Sequence, residues 1–245
     1  MNPQRFAAFA AGSAAALVLM YVTVVTGARA VDLLLMEEQE VEVPQVDWSG
    51  AYIGGHFGAF DSVVDYTVGG VAGNFNIDLD DVIGGAVVGY NMQHKKFVYG
   101  FDGDVGFTKP SDTFRFGAPF DRHQIELNAH IRARLGYTVD EFLIFVAGGV
   151  AFADYDLRIS DGAGATLNRD KLMVGFSIGG GIEYALAENI TFRGEYIYDN
   201  YGTQTISGGT VGAVTFADRR IDLDTHTVRS SLIWHFPVEG LFARN

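Results

Sequence analysis

From Gln124 to Tyr137 polar and apolar side chains alternate one for one. Gln124, Glu126, Asn128, His130, Arg132 and Arg134 hold the even positions, and Ile125, Leu127, Ala129, Ile131, Ala133, Leu135 and Tyr137 the odd ones. Successive side chains of a strand point to opposite faces, so a period of two predicts a strand with one charged face and one apolar face.

Eight segments repeat this alternation: 48–60, 82–93, 97–108, 124–137, 142–153, 171–185, 190–200 and 224–236. None contains proline, which would remove a ladder hydrogen bond. The links between them alternate in length. Those at 94–96, 138–141 and 186–189 are tight, whereas 61–81, 109–123, 154–170 and 201–223 are long and rich in Gly, Asp, Ser and Thr. Short turns at one end and long loops at the other are the arrangement of a membrane barrel. The expected fold is all-β: an eight-stranded antiparallel up-and-down transmembrane β-barrel over residues 48–236. An even strand number returns both ends of the barrel to the periplasmic side.

Alternation does not say which face meets water, but the aromatic residues do. Tyr90, Tyr99, Tyr137, Phe142, Tyr184, Phe192, Trp234 and Phe236 lie beside the short turns, each on the apolar face of its strand. Amphipathic rings gather at headgroup depth, whereas a soluble core would bury its rings near mid-strand. These eight are the expected interfacial girdle. Phe60, Phe107, Phe152 and Tyr198 form a sparser second one toward the long links, and the face of Trp48 stays open.

Lipid then bathes the apolar faces and the charged faces line the interior. The expected interior set is Asp102, Asp104, Glu126, Glu183 and Glu195 with Arg132, Arg134, Arg193 and Arg229. An eight-stranded barrel is only wide enough to be filled by side chains. Charges withdrawn from water need partners, so the expected content is a hydrogen-bonded ion network that obstructs free diffusion. Glycines such as Gly148-Gly149 and Gly179-Gly180-Gly181 suit the sharp curvature of a small barrel.

Composition narrows the function classes. The chain has 245 residues, no cysteine and a net charge of −13. It therefore has no disulfide framework, thiolate metal site or cysteine nucleophile. Lys95-Lys96 and Arg219-Arg220 are isolated pairs, so nothing basic enough for nucleic acid is present. Residues 1–30 carry Arg5, a long Ala/Val/Leu-rich run and a closing Ala28-Arg29-Ala30, which reads as a cleaved signal peptide. A permanent helical anchor is the rival reading, because the run approaches the roughly 20 residues that span a bilayer. Residues 31–47 read as a periplasmic lead-in and 237–245 as a C-terminal periplasmic tail.

Three separated motifs carry a family resemblance. WSGAYIGGHFGA (48–59) resembles the opening strand of small Gram-negative outer-membrane β-barrels. GGAVVGYNMQHKKFVYGFDGDVGF (84–107) looks like their second and third strands, and HTVRSSLIWHF (226–236) is similar to their closing strand. The group is the porin-family or opacity type, similar to the transmembrane domain of outer-membrane protein A. The resemblance implies an integral protein of the outer membrane of a Gram-negative bacterium, surrounded by its lipids and lipopolysaccharide. It also implies insertion by the barrel assembly machinery, which in this family reads an aromatic-x-aromatic ending. Trp234 and Phe236 fit that assembly signal. Family chains usually stop there, whereas PVEGLFARN follows here.

The chemistry-bearing clusters are sparse. No His-Glu-x-x-His occurs, and the glycine run at 179–181 lacks the lysine and helix of a phosphate loop, so no cofactor is expected. Asp78, Asp80 and Asp81, or Asp222, Asp224 and His226, could attract divalent cations at acidic loops. Ser230 and His226 share a face but lie about 13 Å apart along a strand, too far for a nucleophile and its base. The chain is thus expected to be no enzyme but a structural, envelope-stabilising barrel with surface-exposed loops. A narrow porin-like channel is the alternative, as is a loop-mediated adhesin or ligand binder (for haem, for example). A homo-oligomer stays open.

Overall fold

The structure is a computed structural model, and it describes residues 46–69, 75–108, 111–115 and 120–236. The signal peptide, all but the last two residues of the lead-in, and the tail after Phe236 lie outside the described residues. The chain forms β1 (Gly50–Val68), β2 (Phe75–His94), β3 (Phe97–Phe107), β4 (Ser111–Arg115), β5 (Phe120–Val139), β6 (Phe142–Ser160), β7 (Thr166–Ala187), β8 (Ile190–Ile206), β9 (Gly209–Val211), β10 (Val214–Phe216) and β11 (Arg219–His235). Eight of these are staves of one antiparallel cylinder in the order β3-β2-β1-β11-β8-β7-β6-β5, closed by pairing of β3 with β5. Closure leaves no stave with an open edge within the layer that all eight share, as a strand in hydrocarbon requires. Strand β4 adds to the upper end of β5, and β9–β10 form a separate hairpin.

Two-residue turns join β2 to β3 at Lys95-Lys96, β5 to β6 at Asp140-Glu141 and β7 to β8 at Glu188-Asn189. Lys95 and Asp140 take positive φ, 57° and 51°, as tight hairpins demand of a turn residue.

The opposite end departs from expectation. The staves do not stop where the alternation of the membrane segments ends. β1 runs on to Val68, β6 to Ser160 and β8 to Ile206, while β5, β7 and β11 begin at Phe120, Thr166 and Arg219. Much of what reads as long loop is barrel wall. The reason is a reversal of the apolar phase. On β6 the outward residues are Phe142, Ile144, Val146, Val150 and Phe152, then Asp154, Asp156 and Arg158. The inward residues near the top are Ala151, Ala153, Tyr155, Leu157 and Ile159, all buried. The period of two never breaks, but the greasy face moves from outside to inside.

This divides the cylinder into two layers. The outward apolar stretch of β6, Phe142–Phe152, spans about 25 Å along the axis at the usual rise and tilt, the height of an outer-membrane apolar band. Above it the wall is polar outside, and the interior is a hydrophobic core that includes Val64, Tyr66, Leu79, Ile125, Leu157, Met173 and Leu223. Phe60 belongs to that core at 3% exposure. Its place in an outer girdle is thereby corrected, because β1 turns its even residues inward from Tyr52 to Val68.

Candidate functional site in the barrel interior

Within the apolar band many inward positions are charged, beside buried apolar ones such as Val87, Phe145 and Ile233. On β5, even residues from Asn128 to Thr138 face in, and Arg132 and Arg134 are buried. On β3 the inward charged residues are Asp102 and Asp104; on β7, Glu183; on β8, Arg193, Glu195 and Asp199; on β11, Arg229.

Alternation around a narrow lumen brings opposite charges into contact. At the short-turn end Glu183 accepts from Arg134 Nη2 (3.1 Å), Arg193 Nε (2.9 Å) and the Thr191 hydroxyl (2.6 Å). His235 Nε2 approaches the same carboxylate at 3.1 Å. Both guanidiniums lie beside aromatic rings: Arg134 is 4.2 Å from the centroid of Phe145, and Arg193 is 5.1 Å from that of Tyr52. One level up, Arg132 Nε donates to Asp102 at 3.2 Å, and its Nη1 lies 2.9 Å from Glu195. Arg229 forks onto Asp104 (2.7 and 3.1 Å) and reaches Glu195 through Nε at 2.9 Å. His130 ends the series, with Nδ1 2.9 Å from Asp104 and Nε2 3.0 Å from Asp199.

The network is capped by apolar layers. Below it Trp48, fully buried, packs with Val98 and Leu143, flanked by Val46 and Ala185. Trp48 thus faces the interior and is no girdle member. Above the network lies the hydrophobic core of the extended wall.

The structure therefore brings Asp102, Asp104, Arg132, Arg134, Glu183, Arg193, Glu195 and Arg229 together. Glu126 is a correction to the interior set. The β5–β6 ladder skips it: Ile125 pairs with Tyr155 and Leu127 with Asp154. As the extra residue of a bulge, Glu126 points out, exposed and bonded by Gln124 Nε2 at 2.9 Å. Sequence reasoning left out His130 and Asp199. Both sit on the charged parity of their strands, so the period of two would have found them.

Tyr90, Tyr99, Tyr137, Phe142, Tyr184, Phe192, Trp234 and Phe236 all lie on the outward parity near the short turns. Neighbours touch across strands, as in Phe142–Tyr184 (4.8 Å between centroids) and Phe97–Tyr137 (5.4 Å).

No hydrolytic triad emerges among the described residues. His235 meets both Thr191 (3.1 Å) and Glu183 through the same nitrogen, Nε2, and the Thr191 proton goes to Glu183. A base must instead accept the nucleophile's proton on one nitrogen and be oriented through the other. Ser230 is exposed on the outer wall, on the face of His226 and away from the network. No group of three or more acidic or histidine side chains among the described residues is arranged to hold a metal ion.

Comparison with known proteins gives a consistent family. The description "Outer membrane protein beta-barrel domain" matches residues 6–236. The chain is 30% identical over 203 residues to the 25 kDa outer-membrane immunogenic protein of Brucella abortus biovar 1, covering 80% of this chain and 83% of that one. It is 32% identical over 168 residues to a 22 kDa outer membrane protein of Rhizobium leguminosarum bv. viciae, covering 66% and 69%. In fold it is similar to the outer membrane protein OprG from Pseudomonas aeruginosa, with TM-score 0.56 and 15% identity over 80% of this chain and 100% of that one.

Proposed function

This chain belongs to the outer membrane protein β-barrel family, and on that premise we propose that it is a closed structural barrel that stiffens the outer membrane and conducts no solute. The observation that carries this reading is the double closure of the lumen. Buried guanidinium–carboxylate pairs fill the membrane layer, and apolar side chains seal it above and below. An ion crossing this path would have to displace paired charges and then enter a hydrophobic core, which costs several kcal/mol per step. Purified protein in planar bilayers is expected to give no unitary steps. Regular single-channel conductance would favour the narrow-channel reading.

Three further parts of the proposal rest on the wall. The girdle aromatics fix depth at the short-turn end. Trp234 and Phe236 act as the assembly signal, and the Phe236 amide donates to the Ala51 carbonyl at 2.8 Å, so the signal lies where the last stave meets the first. At the upper edge of the band, Asp61, Asp80, Glu126, Asp154, Asp170 and Asp224 occupy outward positions of six staves. This acidic rim supports contact with lipopolysaccharide phosphates through shared divalent cations. The Asp78 side chain lies outside the described residues. The relatives named as immunogenic favour exposure of the long-strand end at the cell surface. Loss of the protein is expected to sensitise cells to detergent, and unchanged sensitivity would argue against the stiffening role.

A further inference from the structure

The ladders of the extended wall are not those of a closed cylinder. Strand β3 ends at Phe107, paired with Gly84 and Leu127, and among the described residues no ladder joins β4 to β2 above that level. The ladder between β7 and β8 likewise ends at Phe176 and Asn200, although β7 begins at Thr166 and β8 runs to Ile206. Above these two forks the wall is therefore two sheets, β4-β5-β6-β7 and β2-β1-β11-β8, which share the hydrophobic core between them. Each fork sits beside a bulge, a device that bends a strand and ends pairing. At the first, Glu126 bulges out of β5 next to Leu127. At the second, Tyr201 and Gly202 of β8 oppose Leu223 alone, and Gly202 takes φ 60°. Gly175 stands in the crotch, where a Cβ would lie 2.2 Å from the Asn200 carbonyl oxygen.

We infer that the long-strand end is a pair of jaws that part along the two forks while the membrane layer stays closed. Opening a closed cylinder breaks ladder bonds, whereas here side chains alone tie sheet to sheet. At the second fork Lys171 Nζ donates to the Thr205 carbonyl at 2.8 Å, and Arg169 donates to the carbonyls of Ser207 (3.0 Å) and Gly208 (2.9 Å). At the first, the Thr108 hydroxyl donates to the Val82 carbonyl at 3.0 Å. Deeper in, Arg219 of one sheet forks onto Asp121 of the other at 2.8 and 3.1 Å. Apolar burial closes the jaws, and Lys171 and Arg169 latch them by covering carbonyls of an otherwise open strand edge. A segment held by side-chain contacts opens at lower free energy than one held by ladders on both sides. Parting presents two apolar inner faces and four strand edges at the end away from the short turns. Arg132–Glu195 and Arg229–Asp104 lie below both forks. The inference therefore goes beyond the closed-barrel reading, since the charged layer and the Trp48 layer stay shut with the jaws apart.

The test is pulsed electron spin resonance on the full chain in lipid nanodiscs, with spin labels on introduced cysteines, since none is native. Arg158→Cys with Arg220→Cys places exposed labels on opposite jaws, and Val146→Cys with Leu232→Cys places exposed labels across the band. The latch is removed by Arg169→Met with Lys171→Met, which keeps the side-chain stems. In that variant the jaw distances are expected to lengthen and spread roughly twofold wider, with the band distances unchanged. Jaw distances as narrow as the band distances, and unmoved by loss of the latch, overturn the inference. Folding is checked by heat-modifiable gel mobility, and Lys171→Met alone carries the comparison if the double variant does not fold. Equal broadening of both label pairs overturns the inference too, and would in addition count against the closed-barrel reading.

Discussion

His130 Nε2 lies 3.0 Å from Asp199 Oδ2, at the level where the ion network gives way to the hydrophobic core. The other ring nitrogen faces Asp104 at 2.9 Å. Ionised carboxylates only accept, so a ring held between two of them carries protons on both nitrogens. Five buried carboxylates, Asp102, Asp104, Glu183, Glu195 and Asp199, face four arginines, Arg132, Arg134, Arg193 and Arg229, and His130 supplies the fifth positive charge. His130→Ala should therefore destabilise the barrel by about 3–5 kcal/mol, the cost of an uncompensated buried charge. Adding Asp199→Asn should recover part of that loss. Urea unfolding in lipid vesicles measures both, and a fully additive double variant would show that the two side chains do not act together.

The extended wall is held by a core like that of a soluble sandwich. Leu157 is buried there at 1% exposure. Leu157→Ala should cost about 2–5 kcal/mol and loosen the long-strand end alone. Limited proteolysis should quicken above the band while heat-modifiable mobility persists. Loss of membrane insertion in this variant would mean that the two layers fold as one unit.

Two titrating groups above the band give opposite pH dependences. Burial, then a hydrogen bond to Asp170 and the charges of Asp170, Glu126 and Asp154, push the Asp156 carboxyl up to about 6. Its stabilising effect is present below the usual carboxylate value of about 4 and is lost as pH rises through about 6. Burial, then the Arg219 charge, lowers His123 to about 3. Its effect is present above about 6.5 and is lost as pH falls toward 3. Asp156→Asn should raise stability at pH 7 more than at pH 4.5, and His123→Gln should flatten the decline between pH 6.5 and 4. Denaturant midpoints across this range check both, and variant slopes matching the parent would remove the assignments.

The bulge on β5 is open to chemical labelling, because the chain has no native cysteine. Glu126→Cys should react promptly with a membrane-impermeant maleimide, and Ile125→Cys should react only after unfolding. Equal labelling of the two would put the bulge elsewhere.

Trp48 packs under the network on Val98 and Leu143. Trp48→Ala should cost about 3–5 kcal/mol without opening a conducting path, because the upper core still seals the lumen. Calorimetry and planar-bilayer recording read the two halves of this expectation.

The eight staves, their short turns and the faces of Arg132, Glu195 or Phe142 were legible in the chain, because side-chain direction in a strand depends only on parity. Contacts across the lumen were not. Parity places Arg229 inside, but only closure of the cylinder decides that it meets Asp104 of a stave three places away around the ring. Glu126 was misplaced because one extra residue resets parity locally, and nothing in the residue itself announces a bulge. The strand ends were misread for a related reason. Beyond Ala59 or Phe152 the solvent outside changes from hydrocarbon to water, so the apolar residues move to the inner face. A uniform rule for one environment takes that reversal for the end of a strand. Period is a property of the backbone and can be read from one chain. Which face is greasy depends on what surrounds each level of the folded cylinder, and that exists only once the cylinder has closed.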